Sequence, residues 1–227
     1  MHLIRRRAFL FLIVWVASFS TSAVARTPDS VPHVQVSLFD DARVPPATLA
    51  QARDRASAIF SHAGIEMDWL VCEPANPTDF TPSRTACSDL AWPSHLSVRI
   101  IPRGRSIGAD IFGQAMVDDS GHGIYSNIYY HNLVVSQNHP GIGDGEMLGY
   151  VIAHEIGHLL LGTNSHSHTG LMQATWSPHV LSDMPRALLV FTPAQSGLIH
   201  SRLSAYLEAK AALRGASPTT RAVCSLM

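Results

Sequence analysis

His154 and His158 stand four residues apart, and Glu155 follows the first of them. On a helix that spacing stacks both histidines on one face, with Cβ atoms about 5–6 Å apart. Two imidazoles so placed can reach one Zn²⁺ at about 2.0–2.1 Å each. Glu155 is beside the first of them, where it can touch a metal-held water without being a ligand. In a His-Glu-x-x-His constellation this glutamate serves as general base toward that water. The surrounding run, residues 148–161, is otherwise apolar. Three titratable groups buried there without a shared partner would cost several kcal/mol. A common cation satisfies them all, whereas incidental polar groups on an amphipathic helix need a wet face, which this run does not offer.

The helix that must carry them has its own signals. Residues 146–153 place apolar side chains at helical spacing, Asp144 is the expected N-cap, and Gly162 is the expected left-handed stop. A third ligand has to come from elsewhere. Downstream of His158 the carboxylates are Asp183 and Glu208 alone, and Glu208 falls beside Lys210 on the exposed side of a later helix. His166 and His168 follow just beyond Gly162, so one fold-back of the chain brings either to the metal. Met172 comes almost at once, in Thr169-Gly170-Leu171-Met172.

Here the chain resembles the metzincin clan of zinc metallopeptidases, in a divergent matrixin- or archaemetzincin-like form. The clan's signature is His-Glu-x-x-His-x-x-Gly-x-x-His followed by a tight turn with a methionine beneath the metal. The resemblance implies one catalytic Zn²⁺ held by His154, His158 and His166, Glu155 as general base, and Met172 as the Met-turn residue. The spacing departs from the signature. Gly162 stands four residues after His158 instead of three, and His166 and His168 stand eight and ten after it instead of six. His166 needs the smaller insertion and leaves a turn before Met172, so it is preferred, with His168 as the alternative. Some metzincins add a tyrosine after the Met-turn; here the chain reads Gln173-Ala174-Thr175-Trp176 and offers none.

The elements upstream can be taken in order. Residues 33–39 alternate as a strand, with Val34, Val36 and Leu38 on one face. Pro45-Pro46 opens a helix that ends at Gly64, with Leu49, Ala52, Ala56, Ile59 and Ala63 on its apolar face and Arg53, Asp54 and Arg55 toward solvent. A second strand alternates through Ile65, Met67, Trp69 and Val71, a proline-rich loop fills residues 73–93, and a third strand carries Leu96, Val98 and Ile100. Residues 108–117 and 124–135 read as two more strands, joined by a turn at 118–123. After Met172, residues 173–190 read as a polar wall without an element. Thr192-Pro193-Ala194-Gln195 is a capping box that opens a helix running to about Leu213.

This order implies an α+β fold of zincin type. It would have a twisted mixed sheet of about five strands, a backing helix, an active-site helix and a small C-terminal subdomain with one long helix. By the resemblance, the strand holding Gly113 is the sheet edge that would pair with an extended substrate. Other histidines, among them His95, His122, His131, His139, His179 and His200, have no ligand spacing and read as surface or turn residues.

At 227 residues, 46% hydrophobic and 15% charged, the chain can bury one sizeable core. Arg5-Arg6-Arg7, an apolar stretch over residues 8–19 and Ala23-Val24-Ala25 read as a bacterial-type export signal over residues 1–25. That leaves a single catalytic domain over residues 26–227, with subdomains at about 31–162 and 163–214 and a tail at 215–227. Without the signal there remain 13 basic against 17 acidic side chains, a net charge of −4. No basic patch stands out, so nucleic acid and anionic membrane are not expected partners. An exported chain meets oxidising conditions, and Cys72–Cys87 is the expected bridge, with Cys224 left over.

The expected function is therefore that of a secreted or periplasmic zinc endopeptidase, monomeric, acting on peptides or proteins. Two alternatives keep the same ligands: a zinc hydrolase of cell-wall peptides, and a non-catalytic binding protein stabilised by its metal.

Overall fold

The computed structural model describes residues 31–73, 86–104, 108, 110–135 and 141–215, all within one compact unit, Val31–Met227. The export signal, most of the proline-rich loop, His139, the tail and Cys224 lie outside the described residues.

The chain runs β1 (His33–Asp40), α1 (Pro46–His62), β2 (Glu66–Cys72), β3 (His95–Ile101), β4 (Gly113–Met116), β5 (Tyr125–Tyr129), α2 (Tyr130–Val135), α3 (Asp144–Leu161), α4 (Pro178–Asp183) and α5 (Pro193–Gly215). The strands form one mixed sheet in the order β2-β1-β3-β5-β4. β1 pairs in parallel with β2 and β3, β3 pairs in parallel with β5, and only β4 runs antiparallel, to β5. Helices α1 and α3 cover one face. Val34, Val36 and Leu38 of β1, with Leu96, Val98 and Ile100 of β3, are fully buried there against α1 and α3.

Helix α3 is buried along nearly its whole length, the expectation for a helix apolar on all sides. It lies close against α1. A Cβ at Gly149 would sit 2.6 Å from the Ala52 carbonyl oxygen, so only glycine permits this approach. Gly162 ends α3 at φ 61° and ψ 38°, the left-handed cap read from the sequence. Its last carbonyls are bound from distant elements: Leu159 accepts from Trp92 Nε1 at 2.9 Å and Leu160 from Arg202 Nη1 at 3.4 Å. Those bonds satisfy groups a helix end leaves without partners.

Several expectations need correcting. Among the described residues of 108–117 only Gly113–Met116 form a strand; Gly108 and Ile111 instead give their carbonyls to the Asn132 side chain at 3.0 and 2.9 Å. Residues 130–135 are helical, not extended. β3 ends opposite Tyr129 and β4 opposite Ile128; beyond them the His131 N–H still donates to the Pro102 carbonyl at 2.9 Å, and residues 130–135 turn into a short helix. Asp144 is not the N-cap: Gly143 is, and Asp144 and Glu146 lie in the first turn, where carboxylates favour the helix dipole. Arg55 does not point to solvent. Its guanidinium pairs with Glu146 and lies over the Tyr150 ring, tying α1 to α3. The stretch after Met172 contains α4, capped by Ser177 accepting from the Val180 N–H, with Pro178 at the first position. Among the described residues no helix is long and apolar enough to cross a membrane.

Candidate metal centre

His154 and His158 project from α3 one turn apart, both buried. Their hydrogen bonds decide which nitrogens remain. His154 Nδ1 lies 2.9 Å from the Leu171 carbonyl, and His158 Nδ1 lies 2.7 Å from the Thr163 carbonyl. A carbonyl only accepts, so each Nδ1 carries the proton and each Nε2 is left with a lone pair. The two Nε2 atoms face each other at 3.1 Å. Two lone pairs at that distance in a dry site repel unless a cation lies between them. Donors about 3.4 Å apart are what tetrahedral Zn²⁺ with bonds near 2.05 Å needs.

The turn after Gly162 brings His166 to the same point. Ligand atoms of His154, His158 and His166 lie within 4.8 Å of one another, the only such cluster among the described residues. His166 is exposed, on the open side of the site. His168 is exposed and lies outside the cluster. The loop is held by Ser167, whose N–H donates to the Met172 carbonyl at 2.8 Å and whose Oγ accepts from Gln195 Nε2 at 3.2 Å. Gln195 also closes the capping box with Thr192, its Oε1 accepting from the Thr192 N–H at 2.9 Å. The start of α5 thus secures the loop that presents His166.

Met172 is fully buried under α3. A Cβ on Gly157 would lie 2.6 Å from its sulfur, so the glycine between the histidines makes room for the methionine. The Leu171 carbonyl before it takes two donors, His154 Nδ1 and Trp176 Nε1, the latter at 3.1 Å. Trp176 stands edge-on to His154, ring centres 5.8 Å apart, and to Tyr150 at 6.2 Å. It supplies no ligand but orients the carbonyl that orients a ligand.

Glu155 is buried next to the histidines, and its carboxylate accepts from the Ala115 backbone N–H of β4. Burial pushes its pKa up to about 8. Burial also pulls His154 down to about 4, with the neighbouring His158 adding to the effect, and it lowers His158 in the same way. These are neutral nitrogen donors at ordinary pH, the form a metal requires. The set of three imidazoles with an adjacent carboxyl fits a zinc ion with one position left for water.

Away from the site, Cys72 and Cys87 form the bridge, with Cα atoms 6.2 Å apart. Glu208 is exposed, and His179 pairs with Asp183 at 3.3 Å. His95 is not a surface residue. It is buried on the far face of the sheet, between Ser37 Oγ at 2.8 Å and the Asp89 carbonyl at 2.6 Å. Alternation through His95, Ser97 and Arg99 placed it on that face; the chain segment that covers it had no sequence signal.

No family model and no curated protein matches the sequence. Solved structures do. A zinc-dependent peptidase from Methanocorpusculum labreanum strain Z aligns over 72% of this chain and 99% of its own, at 15% identity and a TM-score of 0.48. Archaemetzincin from Methanopyrus kandleri aligns over 78% of this chain and 98% of its own, at 14% identity and a TM-score of 0.48. Metalloproteinase-II from Bacteroides fragilis aligns over 78% of this chain at 14% identity and a TM-score of 0.45, and the chain spans 55% of that protein.

Proposed function

We propose that this chain is a divergent metzincin-type zinc endopeptidase that acts after export. The observation that carries the reading is the convergence of the His154, His158 and His166 donors beside the buried carboxyl of Glu155. The His154, His158 and His166 nitrogens would hold Zn²⁺, with His168 left in solvent. When bound, the ion supplies a Lewis acid for the scissile carbonyl and lowers the pKa of the attacking water toward about 7.

The chain's own residues supply the rest. Glu155 takes the proton of the attacking water and returns it to the leaving amine, a role that fits its buried place next to His154 and within one turn of His158. The Leu171 and Thr163 carbonyls hold the histidines in the Nδ1–H tautomer and fix their rings. β4 is an outer strand, and among the described residues no strand pairs with its outer edge, against which an extended peptide could pair through main-chain bonds. The Cys72–Cys87 bridge fits an oxidising destination, as does the export signal read over residues 1–25.

The test is Glu155→Gln in the mature chain, assayed on an unstructured protein such as casein and for bound zinc. The variant should keep its zinc and lose about 100-fold or more of its hydrolysis. Hydrolysis at the unmutated rate would remove Glu155 from the mechanism, and an unmutated chain that binds zinc but cleaves nothing would leave a binding protein in its place.

A further inference from the structure

β4 does more than offer an edge: it seats the carboxyl of Glu155. A Cβ built on Gly113 would lie 2.5 Å from Glu155 Oε1, 2.6 Å from its Cγ and 2.7 Å from its Cδ. All three nearest atoms belong to that one side chain. The backbone at Gly113 does not need glycine, because its φ lies outside the left-handed range. A larger residue there would meet the Glu155 side chain, which would have to shift to make room. Two residues along the strand, the Ala115 N–H donates to the same carboxylate. In an antiparallel strand, residues i and i+2 turn to the same side. Gly113 therefore leaves the space that Glu155 fills, and Ala115 supplies the bond that keeps it there.

We infer that Gly113 is a positioning residue for Glu155, its missing side chain fixing where the carboxyl sits relative to the three histidines. The inference rests on the reading of Glu155 as general base only for its catalytic consequence; the steric coupling stands without it. Alanine at this position would displace the carboxyl from the Ala115 N–H.

The experiment is a double-mutant cycle in the mature chain: unmutated, Gly113→Ala, Glu155→Ala and both together. Each protein is measured for bound zinc, melting temperature and casein hydrolysis. Gly113→Ala should keep one zinc, melt roughly 4 °C lower, and lose about 100-fold in kcat with little change in KM. In the Glu155→Ala background the same substitution meets empty space. There it should raise the melting temperature by roughly 2 °C, the usual gain from replacing a strand glycine. That reversal of sign is a result that a glycine needed only for the strand would not give. An equal loss of melting temperature in both backgrounds would overturn the inference. So would loss of zinc from Gly113→Ala, or hydrolysis by it at the unmutated rate. If the unmutated chain hydrolyses nothing, the peptidase reading fails, and the melting cycle alone still decides the role of Gly113.

Discussion

Burial moves His154, His158 and Glu155 toward their uncharged forms, the histidines downward in pKa and the carboxyl upward. His154 is depressed to about 4 and Glu155 is raised to about 8, each chiefly by burial. In the metal-free chain the two give opposite pH limbs. Between pH about 6.5 and 4 the unfolded state holds a proton on His154 that the folded state does not, so stability falls as pH falls. Between pH about 4.5 and 8 the folded state holds a proton on Glu155 that the unfolded state lacks, so stability falls as pH rises. The two windows overlap and oppose each other below pH about 6.5, so the melting temperature of the apo-protein should fall from there to pH about 8, and Glu155→Gln should abolish that alkaline limb; an alkaline limb unchanged in that variant would refute the assignment. The histidines and Glu155 were legible because residue type and an i, i+4 spacing suffice to mark them. His166 was legible only as one of two, since the spacing after Gly162 cannot say which imidazole turns inward. The Leu171 and Thr163 carbonyls and the Trp176 N–H were not legible, because backbone acceptors and the packing of a loop leave no pattern in residue types.

The elements tell a similar story. Alternation revealed β1, β2 and β3, where both neighbours and burial agree with the sequence pattern, and all-round apolarity revealed α3. β-propensity failed at residues 130–135, where Tyr130, Val134 and Val135 lack strands to pair with and coil into α2. α4 lies inside residues 173–190, which read as a polar wall; its start, Ser177-Pro178, is an N-cap followed by a proline at the first helical position. The capping box of α5 was read correctly, and its consequence reaches the metal loop through Gln195 and Ser167. Thr192→Ala should cost about 1 kcal/mol, or roughly 2–4 °C in melting temperature for a chain of this size. Gln195→Ala removes the other half of the box and the Ser167 tether, so it should also weaken zinc binding. If titration with a competing chelator gives Gln195→Ala and Thr192→Ala the same zinc affinity, the tether has no role.

At the scale of the whole molecule, the five-stranded mixed sheet with a backing helix and the helix that carries His154 and His158 matches the class read from the sequence. The strand order was not legible, since parallel pairs join segments far apart in the chain and no local pattern records them. Position in that order also separates stability from chemistry. The Cys72–Cys87 bridge anchors β2, at the sheet edge opposite β4. Closing a 15-residue separation contributes about 3 kcal/mol by the loop-entropy estimate. Cys72→Ser with Cys87→Ser should therefore lower the denaturation midpoint by that equivalent and leave bound zinc unchanged; loss of zinc would show that the two edges are coupled. The central claim is the metal centre itself. Zinc content of the purified mature chain, beside His166→Ala and His168→Ala, tests it most directly. The account predicts one zinc per chain, kept in His168→Ala and lost or much weakened in His166→Ala. Full zinc in both variants, or none in the unmutated chain, would contradict it.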